Sequence, residues 1–133
     1  MRVLETALYA ENLGETAAFY ETVLGLTRHS EVMDRLVFFN LGTHMLLLFN
    51  PHQSQVPEEG EALPIPPHGA FGPGHVCFEL KVGEADFWRN RLAAYGVDIE
   101  ADFTWPGTDA RSLYFRDPAG TSVELGEAKI WFS

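Results

Sequence analysis

Residues 112–125 read Ser112-Leu-Tyr-Phe-Arg-Asp-Pro-Ala-Gly-Thr-Ser-Val-Glu-Leu125. The segment is a strand near 111–116, a turn at Asp117-Pro-Ala-Gly120, and a second strand near 120–125. Asp, Pro and Gly each favour a tight reversal for a different backbone reason. Working backwards, a strand near 97–103 precedes it. Before that, Glu84 to Tyr95 places Trp88, Leu92 and Tyr95 at helical spacing, and Gly96 supplies a stop. Gly74-His-Val-Cys-Phe-Glu-Leu-Lys-Val82 reads as the strand that opens this half.

The order strand, helix, three strands occurs once more upstream. Residues 2–10 form a strand with Val3, Glu5, Ala7 and Tyr9 on one face. Asn12-Leu-Gly-Glu15 has capping-box form, and a helix runs to about Leu24, burying Phe19, Tyr20, Val23 and Leu24 before Gly25 ends it. Strands are expected near 27–32, 35–41 and 44–50, with Gly42-Thr43 turning between the last two. Glu5 aligns with His75, Leu24-Gly-Leu with Tyr95-Gly-Val, and Phe39…Gly42…Leu46 with Phe115…Gly120…Glu124. This is an internal repeat of about 60 residues. The fold class is therefore α+β, two tandem βαβββ modules forming a cupped mixed sheet. Module 1 is about 1–50, a connecting loop covers 51–73, module 2 is about 74–126, and 127–133 is a C-terminal extension. The loop carries six of the eight prolines, and no regular element fits it. Its length suits a linker or a lid that packs on something.

The 133 residues include 19 Asp and Glu against 9 Lys and Arg, a formal net charge of −10. Nucleic acid and anionic membrane are excluded as partners, because both are bound through basic patches. The single cysteine, Cys77, rules out an intramolecular disulfide framework. Its neighbours His75-Val-Cys-Phe suggest a buried structural thiol. No apolar run reaches the ~18–20 residues of a membrane span, and the start lacks a signal-type apolar core, so the expected compartment is the cytoplasm.

Paired around a pseudo-twofold axis, the two modules would bring Glu5, Leu46, His75 and Glu124 together. Three of these can ligate a metal. Glu5 and Glu124 interrupt apolar strands, where a carboxylate needs water, a partner or a cation. Two carboxylates and an imidazole with open positions suit Fe(II), Mn, Ni or Zn. Each residue also has a plainer reading, as the solvated face of an antiparallel sheet or a structural histidine.

Leu8-Tyr-Ala-Glu-Asn-Leu…Phe19-Tyr-Glu-Thr-Val-Leu-Gly-Leu and the 112–125 segment resemble the vicinal oxygen chelate superfamily, over nearly all of residues 2–126. That group includes glyoxalase I, bleomycin-resistance proteins, fosfomycin-resistance enzymes, methylmalonyl-CoA epimerase and extradiol dioxygenases. The resemblance implies the glyoxalase/bleomycin resistance/dihydroxybiphenyl dioxygenase fold, a homodimer, and a divalent metal at Glu5, His75 and Glu124. Glu5 departs from the His or Gln usual there. The fourth position, Glu in glyoxalase I-like members, falls near Leu46 or Leu48. Tyr114 matches an active-site tyrosine of the dioxygenases, but Trp105-Pro-Gly-Thr-Asp lacks their acid–base histidine. Arg111 is a candidate for a substrate carboxylate and Tyr114 for a substrate oxygen. His44 and His52 read as surface or loop residues, and Trp105 with the 51–73 loop as an apolar lid.

Two functions follow. One is a metal-dependent glyoxalase- or dioxygenase-type enzyme (lyase, isomerase or dioxygenase) on a small oxygen-chelating substrate. The other is a metal-free, bleomycin-resistance-like protein that sequesters a drug, with Phe103, Trp105 and Tyr114 stacking on a cationic ligand.

Overall fold

Period-two alternation and paired helix stops produce the same element order twice in the computed structural model, which describes residues 1–57, 60 and 63–132. Parts of the 51–73 loop and residue 133 of the C-terminal extension lie outside the described residues. The chain divides into two units, residues 1–72 and 73–133.

In unit 1, β1 (Glu5–Tyr9), α1 (Leu13–Thr22), β2 (Thr27–Val32), β3 (Leu36–Asn40) and β4 (Met45–Phe49) form a sheet of order β1-β4-β3-β2. β1 runs parallel to β4, and the other pairs are antiparallel. One face carries Leu8, Leu46, Leu48, Val37 and Phe39, all buried. Leu13, Thr16, Ala17 and Tyr20 recur at helical spacing along α1 and are buried too. Phe19 and Leu24, expected with them, are only half-buried. Asn12 meets Glu15 through its amide nitrogen at 3.3 Å, while its side-chain oxygen accepts from the Thr16 hydroxyl at 3.1 Å. The capping-box residues therefore pair side chain to side chain.

A short helix, α2 (Pro51–Ser54), follows β4. The expectation of no regular structure there fails for a local reason. Pro51 occupies the first helical turn and the Asn50 side chain accepts from the His52 N–H, as in an ordinary N-cap.

Unit 2 repeats the plan with β5 (His75–Glu79), α3 (Ala85–Ala94), β6 (Ala101–Thr104), β7 (Arg111–Arg116) and β8 (Ser122–Gly126), in the order β5-β8-β7-β6. A 3₁₀ turn over Ala128–Ile130 ends it. Leu113, Phe115, Val123 and Leu125 fill one face with Leu92 of α3 and Leu80. Leu92 is the one buried residue of α3; Trp88 is half-buried and Tyr95 is exposed. Gly25 and Gly96 both stand at φ +71° just past the helix ends, a conformation that costs glycine nothing. After α3 the Gly96 and Val97 N–H groups donate to the carbonyls of Ala93 and Leu92 at 3.0 and 2.9 Å, a Schellman closure. Between β7 and β8 the Asp117 carboxylate accepts from the N–H groups of Ala119 and Thr121, both at 2.9 Å.

Candidate functional site

Pleating puts the site on one face of the unit 2 sheet. The register pairs His75 with Ser122, Cys77 with Glu124 and Tyr114 with Glu124, while Ser112 lies opposite Gly126 and Phe103 opposite Ser112. These side chains share a face because they are two residues apart on each strand.

Glu124 is the centre of this group and is only 6% exposed. A buried carboxylate needs donors, and a two-step relay supplies one. The Ser112 hydroxyl donates to Oε2 at 2.6 Å, and the Trp105 indole N–H in turn donates to Ser112 Oγ at 2.8 Å. Tyr114 and Cys77 stand opposite Glu124 on the two neighbouring strands. Partial desolvation of its sulfur pushes the Cys77 thiol up to about 12, and the Glu124 carboxylate acts in the same direction. Tyr114 is likewise held up at about 12, first by burial and then by Glu124. Both groups therefore keep their protons at neutral pH.

His75 Nε2 stands 3.3 Å from Glu124 Oε1. Its Nδ1 lies 2.9 Å from the Ser122 carbonyl oxygen, which can only accept. Nδ1 thus carries a proton, and Nε2 points toward a carboxylate oxygen. At that separation the two atoms need a proton or a cation between them. A backbone acceptor fixing the far nitrogen is also how metal-ligating histidines are oriented. The donor set of unit 2 fits one edge of a cation site. Among the described residues no group of three or more His, Cys, Asp or Glu side chains is gathered as a metal site.

An aromatic row flanks the pair. The His75 and Tyr114 rings stack at 6.1 Å, Tyr114 and Phe103 at 5.9 Å with 5° between planes, and Phe103 meets Trp105 at 4.9 Å. Next to it, a cleft of about 230 Å³ is lined by Phe103, Tyr114, Arg116 and Glu100 among others.

The other expected residues fall elsewhere. Glu5 opens β1 as His75 opens β5, and it is exposed within unit 1. Arg111 shares the parity of Leu113 and Phe115, so it lies on the helix side of the sheet. There its guanidinium is 3.5 Å from Asp102, and its backbone N–H donates to Glu127. The structure does not bring it to Glu124. Leu46 and Leu48 are buried on the helix side of unit 1. The third residue of β4, Leu47, holds the place that Glu124 holds in β8, so the expected equivalence with Leu46 is one residue out. His44 bridges the Thr6 hydroxyl at 2.7 Å and the Val3 carbonyl at 3.2 Å. His52 is exposed and pairs with Glu11 at 3.0 Å.

Three site residues escaped the sequence reading. Ser112 and Gly126 flank Tyr114 and Glu124 at two-residue steps, which is the signal that would have found them. A Cβ on Gly126 would come within 3.0 Å of Glu124 Oε2 and of Ile130, and 3.1 Å of Cys77 Sγ, so a larger residue would have to shift these side chains by a few tenths of an ångström. Cys77 is exposed rather than buried, since its parity is that of His75.

A family model described as Glyoxalase/Bleomycin resistance protein/Dioxygenase superfamily matches residues 2–125. The crystal structure of lactoylglutathione lyase from Agrobacterium tumefaciens is 44% identical, with a TM-score of 0.92 over 99% of this chain and 97% of that one. A glyoxalase/bleomycin resistance protein/dioxygenase from Nocardioides is 24% identical, with a TM-score of 0.73 over 96% and 83%. The fosfomycin resistance protein of Listeria monocytogenes is 17% identical, with a TM-score of 0.68 over 94% and 88%. The last two share the fold. No curated protein sequence matches the chain. With the repeat, both four-stranded sheets and the 2–125 match in agreement, the chain belongs to the glyoxalase/bleomycin resistance protein/dioxygenase superfamily.

Proposed function

We propose that this chain is a metal-dependent lyase or isomerase acting on a small molecule with oxygens on neighbouring carbons, and that Glu5, His75 and Glu124 hold the divalent cation. The observation that carries the reading is the buried Glu124 carboxylate 3.3 Å from Nε2 of His75, a ring whose other nitrogen is held by a backbone carbonyl. Glu5 joins them by equivalence, because it opens the parallel strand of unit 1 where His75 opens that of unit 2. The similarity to lactoylglutathione lyase favours a lyase or isomerase over ring cleavage. So does the absence of a histidine from the 105–109 segment.

A cation such as Fe(II), Mn, Ni or Zn would supply Lewis-acid chemistry, polarising a pair of substrate oxygens and acidifying the C–H between or beside them. The chain's residues divide the remaining work. Ser112, itself held by the Trp105 indole, donates to Glu124 Oε2, which leaves Oε1 to face His75. Tyr114, protonated up to about 12, is a hydrogen-bond donor to a substrate oxygen and not a base at neutral pH. Leu47, in the place in β4 that Glu124 has in β8, offers no ligand atom, so a coordination position there would be open to water or substrate. A homodimer working in the cytoplasm belongs to the same reading.

The aromatic row of His75, Tyr114 and Phe103 favours a second reading, in which the protein sequesters a flat cationic compound without metal. One experiment separates the two. Metal-stripped protein is reloaded with Mn, Fe(II), Ni or Zn and given lactoylglutathione or hydroxyacetone in D₂O. The enzyme reading predicts metal-dependent consumption, or deuterium uptake at the carbon next to the carbonyl, lost in His75→Ala. No exchange with either compound and any of these metals would leave the sequestering reading.

A further inference from the structure

The helix side of the unit 2 sheet carries an opening of its own, on the face opposite Glu124. The sheet runs on by one rung there. The Leu80 N–H donates to the Gly126 carbonyl at 2.8 Å, and the Glu127 N–H donates to the Arg111 carbonyl at 3.0 Å. Glu127 therefore lies opposite Arg111 and shares its side of the sheet. The start of α3 stands over this corner and leaves a cleft of about 300 Å³, lined by Lys81, Asp86, Arg89, Arg111 and Glu127 together with Leu80 and two small residues. That volume is at the lower end of the ~300–1,000 Å³ of small-molecule sites.

Its charges balance in number but not in engagement. Lys81, Arg89 and Arg111 line the cleft with Asp86 and Glu127, and Asp102 stands behind the two arginines. Arg89 is fully occupied, with two nitrogens on Asp102 and the third on Asp86. Arg111 has only a 3.5 Å contact with Asp102. Among the described residues the Lys81 ammonium has no ion pair and no hydrogen bond. Two cations are thus left with unused donors. Glu127 is the opposite pole. It is 7% exposed, and its Oε1 accepts from the Arg111 N–H at 2.6 Å. No described donor reaches Oε2, yet no buried side-chain oxygen among the described residues lacks a partner. Oε2 is therefore accessible through the cleft, where its donor must come from water or a ligand.

We propose that this cleft binds a small dipolar molecule of the polar α-amino acid class, its ammonium donating to Glu127 Oε2 and its carboxylate lying between Lys81 and Arg111. A guanidinium and an ammonium are the donors that carboxylates use best. A simple anion would reach Lys81 and Arg111 but would also face the carboxylates of Glu127 and Asp86. A simple cation would meet the reverse arrangement, so only a molecule carrying both charges gains at both poles. Leu80 is the one sizeable apolar side chain on the lining, which favours a polar ligand side chain over an apolar one. Arg111, whose place on the helix side removes it from Glu124, acquires a carboxylate partner here. The proposal does not draw on the cation reading of His75 and Glu124.

The test is an NMR titration of isotope-labelled, full-length protein with four probes. L-Glutamine and L-serine carry both charges, N-acetyl-L-glutamine lacks the ammonium, and L-glutaminamide lacks the carboxylate. Both amino acids should shift the backbone amides of Gly83, Arg111 and Glu127 saturably, one molecule per chain. The two blocked forms should bind roughly tenfold or more weakly, the loss of a hydrogen bond to a charged group. Lys81 is exposed, so Lys81→Ala leaves the fold intact, and it should weaken glutamine and N-acetylglutamine alike. Glu127→Gln keeps an acceptor for the Arg111 N–H. It should weaken glutamine by roughly tenfold and leave N-acetylglutamine no weaker, a pattern that partial unfolding would not produce.

Absence of saturable shifts with both amino acids would overturn the proposal. So would N-acetylglutamine or glutaminamide binding as tightly as glutamine, or glutamine binding unchanged in Lys81→Ala and Glu127→Gln. Both variants should still bind a divalent cation as the wild type does, so failure here and failure of the cation reading are separate results.

Discussion

At the scale of single residues, Ser112 decides how Glu124 is presented. It is fully buried, and its hydroxyl stands between the Trp105 indole and the Glu124 carboxylate. Ser112→Ala leaves the Trp105 N–H and one carboxylate oxygen without this partner while adding no bulk. Unpaired buried groups cost about 1–3 kcal/mol each, and the loss of a neutral hydrogen bond alone about 1 kcal/mol. Urea denaturation of Ser112→Ala should therefore show a loss of roughly 1–3 kcal/mol, and Trp105→Phe a smaller one. Equal stability of Ser112→Ala and the wild type would mean that water replaces the hydroxyl freely and that Glu124 is less enclosed than described. The residue scale is also where sequence reading was weakest. The run Met45-Leu-Leu-Leu-Phe49 is apolar throughout, so it has no polar partner to set its phase. Its facing parity emerges only from pairing with β1 and β3. Hence the counterpart of Glu124 is Leu47, between the Leu46 and Leu48 that the sequence suggests. Counting in twos from His75 puts Cys77 on the open face despite its apolar neighbours, and counting from Tyr114 puts Arg111 on the opposite one.

Among the elements, α3 is the least anchored. Leu92 is its one buried residue, so a salt bridge carries more of its attachment than is the case for α1. Arg89 grips Asp102 of β6 with two nitrogens, at 2.6 and 2.9 Å, a fork geometry stronger than a single exposed pair. The Arg89 hydrogen bonds hold the Asp102 carboxyl below its ordinary range, with Arg111 adding to the effect. A depressed carboxyl contributes stability that is present above its unfolded-state value, near 4, and fades as pH falls through the folded value. Acid unfolding should accordingly begin with α3 below about pH 4. In hydrogen exchange at pH 3, α3 should lose protection before α1, and Asp102→Asn should show the same loss already at neutral pH. Simultaneous opening of both helices would contradict this order. Element identity itself was readable in advance, because Gly25, Gly96 and the Asp117–Gly120 turn punctuate the chain at repeat-equivalent places. The exception was α2, hidden because six prolines dominate the 51–73 composition even though Asn50-Pro51 is a good helix start.

For the whole molecule, the charge balance reads differently once its partners are known. Of the few cations, Arg28 serves Glu21 and Glu31, Arg89 serves Asp86 and Asp102, and Arg116 serves Glu100. These pairs leave no basic stripe for phosphates, in keeping with a net charge of −10. No helix among the described residues is long and apolar enough to cross a membrane. The surplus acidity includes two carboxylates, Glu5 and Glu124, that occupy matching sheets and receive no lysine or arginine in the described contacts. Their proposed partner is a divalent cation shared with His75. Titration of metal-stripped, tag-free protein with Zn²⁺, Mn²⁺ or Ni²⁺ by calorimetry tests this most directly. The expected result is saturable binding of one cation per chain, abolished in His75→Ala and in Glu124→Gln and weakened by roughly tenfold or more in Glu5→Gln. Absence of saturable binding by the wild type, or binding unchanged in His75→Ala and Glu124→Gln, would contradict it.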